Sequence, residues 1–129
     1  MVGMLLAACS YDSVCEPVAL RPASAELQQE LTRLHEKNII RTQTDFPNAL
    51  KGGPGFTRET AWQILIKNRA AVSFEYLVLG RLGLGEQRMQ ALVEEAGRYY
   101  DMHIIDVEHD GKHYSVEQWF DITPYFKSM

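Results

Sequence analysis

Residues 99–122 read YYDMHIIDVEHDGKHYSVEQWFDI, and this stretch decides the fold. Two runs rich in aromatic and branched side chains, Tyr99–Val107 and His113–Ile122, flank Asp110-Gly111. Both central residues of a type I′ turn need positive φ, which Asp-Gly supplies at little cost. The pair predicts a hairpin. With a two-residue loop, His109 faces Lys112, and the register follows. One face carries Val107 opposite Tyr114, Ile105 opposite Val116, His103 opposite Gln118 and Asp101 opposite Phe120. The other carries Glu108 with His113, Asp106 with Ser115, Ile104 with Glu117 and Met102 with Trp119.

Upstream, Arg88–Glu94 alternates and Ala96-Gly97 offers a second turn, so the C-terminal third reads as a three-stranded antiparallel meander. A two-residue turn there sets Gln90 beside His103. A polar row, Gln90–His103–Gln118, then crosses an otherwise largely apolar face. Polar side chains in such a place need hydrogen-bond partners or water. The row is a satisfied structural network, a solvent-facing stretch of sheet, or the floor of a small-ligand pocket in which His103 changes charge near neutral pH. On the opposite face, Tyr100, Met102 and Trp119 form either a contact surface for a partner or the underside of a second layer.

Further upstream, Val72–Leu82 has Val72, Tyr76 and Leu79 on one stripe, widened by Phe74, Leu77 and Val78, which predicts a helix across one face of the sheet. A helix that apolar on both flanks is expected to be largely buried. Gly80, Gly83 and Gly85 end it. Ala61–Lys67 reads as a strand joining the sheet, with a helix capped by Thr57 as the rival. The break at Lys51-Gly52-Gly53-Pro54-Gly55 is a turn. Without a following Lys-Ser or Lys-Thr it lacks the pattern of a phosphate loop. Ser24 reads as an N-cap for a helix to Lys37 with Leu27, Leu31 and Leu34 on its apolar stripe, packed on the sheet edge or second face. Asn38 is its terminator, and Ile39–Phe46 reads as a short strand. Together these predict an α+β domain over 24–129, an antiparallel sheet with the meander packed by one or two helices. Cystatin-like and NTF2-like shapes suit these elements, an analogy that carries no function.

The first 23 residues read as leader and tether. Leu6-Ala7-Ala8-Cys9 resembles the bacterial lipobox, in which the cysteine is lipidated and becomes the mature N-terminus, and Ser10 suits outer-membrane sorting. The apolar stretch is only Val2–Ala8 and no Lys or Arg precedes it, departures that a start codon placed too far downstream explains. The alternative is a short first strand of a cytosolic protein. Residues 10–23, with Pro17 and Pro22 and no periodicity, read as tether. With Cys9 lipidated, Cys15 stands alone; with neither modified, the two can pair in an oxidising compartment.

The chain has 129 residues, 46% apolar and 23% charged, with a net charge of −4. That suits one domain, excludes a disordered chain, and speaks against a nucleic-acid partner, because phosphate binding needs an excess of Lys and Arg. No cofactor and no metal site is expected: His109 and His113, with Glu108 and Asp110, have helical spacing, but the hairpin sends the two histidines to opposite faces. No catalytic set is expected either. Ser73 and Ser115 lack a nucleophile-elbow context. Nothing singles out a working pair among Glu94, Glu95, Asp101, Asp106 and Asp121.

The stretch from Gly53 to Phe126 resembles a group of small, uncharacterised bacterial proteins, many exported or lipid-anchored. The shared features are the glycine-rich turn Gly52-Gly53-Pro54-Gly55, the apolar run Ala61–Ile66, Glu75-Tyr76 in a helix, Tyr100-Asp101 opening a strand, and Phe120-Asp121-Ile122 followed by Phe126. Pro54 within the turn and Pro124 after the last strand depart from the pattern. The resemblance implies export and the domain boundary, and transfers no catalytic residue.

The expectation is therefore a non-catalytic, exported interaction protein, periplasmic or held at the membrane through Cys9, with a protein partner in the manner of an inhibitor or immunity protein. The alternatives are a small-ligand module using Gln90, His103 and Gln118, and a small enzyme using His103 with Asp101 or Glu75. The sequence leaves the oligomeric state open.

Overall fold

The computed structural model of the chain describes the backbone of residues 4–9 and 15–128, with side chains from Leu20 onward. Strands β1 (Met4–Cys9) and β2 (Cys15–Pro22) lead into helices α1 (Ala25–Leu34) and α2 (Glu36–Asp45). Short strands β3 (Leu50–Gly52) and β4 (Trp62–Ile64), helix α3 (Ala70–Leu82), the meander β5 (Glu86–Glu95), β6 (Arg98–His109) and β7 (Lys112–Asp121), and a last turn α4 (Thr123–Lys127) follow.

The meander forms as its turns dictate. Asp110 and Gly111 have φ of 52° and 74°, and Ala96 and Gly97 have 52° and 77°, so both two-residue loops are built in the left-handed region. The β6–β7 register is the expected one, from His109 opposite Lys112 to Asp101 opposite Phe120. Gln90 lies opposite His103 in β5–β6, with a bulge at Arg88 where the pairing shifts between Gln87 and Met89.

The sheet is mixed rather than antiparallel throughout. Beyond β6, the free edge of β7 is shared by three segments. β2 runs parallel to it at Tyr114 and Ser115. The Trp119 amide donates to the Gly55 carbonyl at 2.8 Å. β4 then runs parallel at Phe120 and Asp121 and carries β3 on its other side. The expected strand at Ala61–Lys67 is present but shorter, with Trp62 and Ile64 fully buried around exposed Gln63.

The expected tether is not one over its second half. Residues 15–22 form β2, and Leu20 is fully buried, so the domain begins before Ser24. β1 pairs antiparallel with β2 and sets Cys9 opposite Cys15 in the backbone register. Met1–Gly3 and Ser10, which belong to the export-signal reading, lie outside the described residues, as do the side chains of Cys9 and Cys15.

Ser24 caps α1 as expected, its hydroxyl accepting from the Leu27 amide at 3.1 Å. Asn38, however, ends nothing, and the expected strand Ile39–Phe46 is the helix α2. Ile39, Ile40, Thr42 and Thr44 favour strand locally, but docking overrides that preference. Ile39 and Thr42 are buried, the Asn38 amide donates to the Leu82 carbonyl at the end of α3, and the Thr42 and Thr44 hydroxyls bond back to Asn38 and Ile40 carbonyls. Phe46 meets Phe74 edge-on at 5.1 Å. Leu31 and Ile39 join one core with Ile105, Val107, Val116 and Phe120, while Gln28 of α1 reaches the groove beside Ile104 and Trp119 on the other sheet face.

Helix α3 ends at left-handed Gly83 with Gly80 inside it. Its expected deep burial is only half met. Ala71, Glu75, Val78 and Leu82 face the core, while Val72, Tyr76 and Leu77 are 40%, 47% and 46% exposed. The glycine turn folds against the Trp62 indole. A Cβ at Gly55 would sit 2.6 Å from Trp62 Cδ1 and 2.7 Å from the Gln118 side-chain oxygen, which is why glycine stands there. At the C-terminal end, Asp121 accepts from the Thr123 amide and hydroxyl, starting α4, and Phe126 stacks on Tyr99 at 4.1 Å.

Candidate functional site

Gln90, His103 and Gln118 lie in one row, each with its own partner. His103 Nε2 is 3.0 Å from Glu75 Oε1, a link from the sheet to α3, and the two side chains are 0% and 1% exposed. Gln118, also fully buried, accepts from the Trp62 indole at 3.0 Å and donates to the Glu117 carbonyl. Gln90 is exposed and accepts from the Tyr76 hydroxyl at 2.7 Å. The rings of Tyr76 and Phe120 stand edge-on to His103 at 5.6 and 5.4 Å.

Electrostatics keep this centre uncharged. Burial, reinforced by the neighbouring Asp101 carboxylate, pushes the Glu75 carboxyl up to about 10, so it carries a proton at neutral pH. Burial pushes the His103 imidazole down, opposed by Asp101, so it is neutral there too. Glu75 Oε1 and His103 Nε2 share a hydrogen bond whose direction is set by the imidazole tautomer, and Nδ1 is a buried atom without a partner among the described residues. This is the His–carboxylate geometry of acid–base chemistry, held where no solute reaches it.

Of the other acidic candidates, Asp101 neighbours Glu75, and three are held by basic side chains. Asp106 binds His113 Nδ1 at 2.7 Å and Arg88 at 3.2 Å, Asp121 binds Arg98 at 2.7 Å, and Glu95 pairs with Arg58. His109 lies 3.4 Å from Asp110, whereas His113 turns to Asp106 on the other face. Among the described residues no three His, Cys, Asp or Glu side chains converge as metal ligands would.

Tyr100, Met102 and Trp119 share the second sheet face and are half-buried. Tyr100 meets Trp119 edge-on at 5.9 Å, and the Trp119 indole donates to Glu117 at 2.7 Å, which fixes the ring. Beside them opens a groove of about 430 Å³ with Phe56, Ile104 and Trp119 among its apolar walls and Arg58, Glu59 and Glu117 at its polar ones. A second, more polar groove of about 410 Å³ holds Tyr100 with Arg58, Arg98 and Asp121.

Sequence reasoning reached the row and the aromatic trio but missed Phe56, Arg58 and Glu59 as groove walls and Trp62 as the partner of Gln118. The glycines before Phe56 were the available signal: they bring that loop against β7. No family model, no curated protein and no solved structure matches this chain.

Proposed function

We propose that this chain is a non-catalytic interaction protein of the cell envelope, holding a protein partner on the sheet face that carries Tyr100, Met102 and Trp119. The observation that carries this reading is a division of the molecule. The His103–Glu75 pair at the centre of the polar row is sealed, while aromatic side chains line an open groove. Aromatic residues at a partly exposed, polar-rimmed site are the composition of a protein-binding surface. The small-ligand and enzyme readings both need a molecule to reach His103, and the buried pair gives it no path. The envelope address rests on the lipobox-like Leu6-Ala7-Ala8-Cys9. Cleavage before Cys9 removes most of β1, and β2 keeps its own pairing with β7.

The test is site-specific photo-cross-linking in the native cell, with p-benzoylphenylalanine placed at Met102 or, as control, at Lys112 on the hairpin tip. A discrete protein adduct from position 102 alone is expected, unchanged by His103→Asn. Adducts from both positions alike, or none from position 102, would overturn the reading, and loss of the adduct in the His103 variant would move it to the row.

A further inference from the structure

We propose that the groove beside Trp119 receives an arginine side chain of the partner, its guanidinium on the Glu117 carboxylate and its aliphatic stem along Phe56, Ile104 and the indole. This rests on the interaction reading above and specifies what that surface selects. Arg58, the cation among the groove's walls, is matched twice, by Glu59 at 3.1 Å and by Glu95. Glu117 takes part in no ion pair among the described residues, and its only side-chain contact there is the indole proton of Trp119 on one carboxylate oxygen. The groove therefore offers excess negative charge over an apolar floor, in a chain of net charge −4.

A bare ammonium ion, strongly hydrated, gains little from such walls. An arginine presents a long apolar stem, a weakly hydrated planar head that stacks on an aromatic ring, and a fork of donors for a carboxylate. The indole is already fixed by Glu117 and by Tyr100, so the ring that would stack is pre-organised and little ordering entropy remains to be lost on binding. A glutamate-bearing segment would meet Glu59 and Glu117 with like charge.

The molecule carries its own reference signal for a test. Trp62 is the other tryptophan, with its indole proton held by Gln118 in the core. Peptides acetyl-Ala-Arg-Ala-amide, and the same with citrulline, lysine or glutamate at the centre, are titrated into the labelled full chain while both indole N–H signals are followed by NMR. The arginine peptide is expected to move the Trp119 signal saturably and leave Trp62 in place. The citrulline and glutamate peptides should leave both signals in place, and lysine should bind more weakly than arginine. Glu117→Gln, an exposed substitution that leaves the fold intact, should weaken the arginine peptide about three- to tenfold. Equal response to citrulline, or no effect of Glu117→Gln, would overturn charge recognition; tighter binding of lysine would overturn the assignment to arginine. Cross-linking from Met102 separates the two failures. An adduct that persists when the arginine peptide does not bind leaves the surface in place and removes only its selectivity, whereas loss of both removes the surface.

Discussion

Glu75 in α3 and His103 in β6 meet at 3.0 Å with both side chains withdrawn from solvent, so the main helix is tied to the sheet by an uncharged proton-sharing contact. The pH response of the fold follows from it. Glu75 holds its proton in the native state up to about 10, whereas the unfolded chain releases it near 4.5. Between those values the native state binds the extra proton, so this contribution is complete below 4.5 and is lost as pH rises toward 10. His103 has the opposite sense. Its lowered native value means that its contribution is complete above 6.5 and is lost as pH falls below that. Urea unfolding from pH 5 to 9.5 should show declining stability on the alkaline side, at most about 1.4 kcal/mol per pH unit for one proton. Glu75→Gln should flatten that limb, because the amide can still hydrogen-bond His103 and has nothing to ionise. Glu75→Ala should cost about 2–4 kcal/mol at pH 7, since it opens a cavity and strands the imidazole.

Gly55→Ala should destabilise the domain by about 2–4 kcal/mol, because its φ of 84° disfavours a side chain and the added methyl meets Trp62 and Gln118. Chemical denaturation measures the loss, and tryptophan fluorescence should report a displaced Trp62. Gly97→Ala is the control: it shares positive φ but nothing lies within 4 Å of its Cβ position, so its cost should be the smaller.

Ala96 occupies the first turn position at φ 52° with a Cβ and no compensating side-chain bond. Ala96→Asn or Ala96→Gly should therefore stabilise the protein, by about 0.5–1 kcal/mol. For a domain of this size that raises the thermal midpoint by about 2–5 °C in a calorimetric scan.

Deletion of residues 1–8 should leave the melting midpoint within about 3 °C of the full chain, because among the described residues β1 pairs only with β2. Deletion through Ala23 should cost about 2–4 kcal/mol, since it removes buried Leu20 and the strand beside Tyr114 and Ser115. Intact mass of membrane-extracted protein checks the address: a lipidated species beginning at Cys9 is expected.

The meander was legible because its determinants are local: two turn dipeptides and alternation around them. Register arithmetic even placed Gln90, His103 and Gln118 in line. What covers that line was legible in part: Glu75, on a helix expected across the sheet, was one of two acids set beside His103. Trp62 arrives from a short strand whose docking no local pattern encodes. The helix at Ile39–Asp45 was hidden for a related reason, since its branched residues favour strand until α3 offers Asn38 a carbonyl. The strand at Cys15–Pro22 was hidden by its prolines, and its partners are β1 and the distant edge of β7. Apolar periodicity in α3 revealed the helix but not that Val72, Tyr76 and Leu77 would stay outside.

The shared edge of β7 also governs the order in which the molecule can assemble. β2, the Gly55 loop and β4 are all made early, yet each takes its backbone partner from residues 112–121, far downstream. Contacts of such long sequence separation form slowly, because the intervening chain must first be closed into a loop. Until residues 112–121 have been synthesised, the groups on β2, the Gly55 loop and β4 that pair with β7 stay unpaired, which leaves that side of the domain unfinished through most of translation.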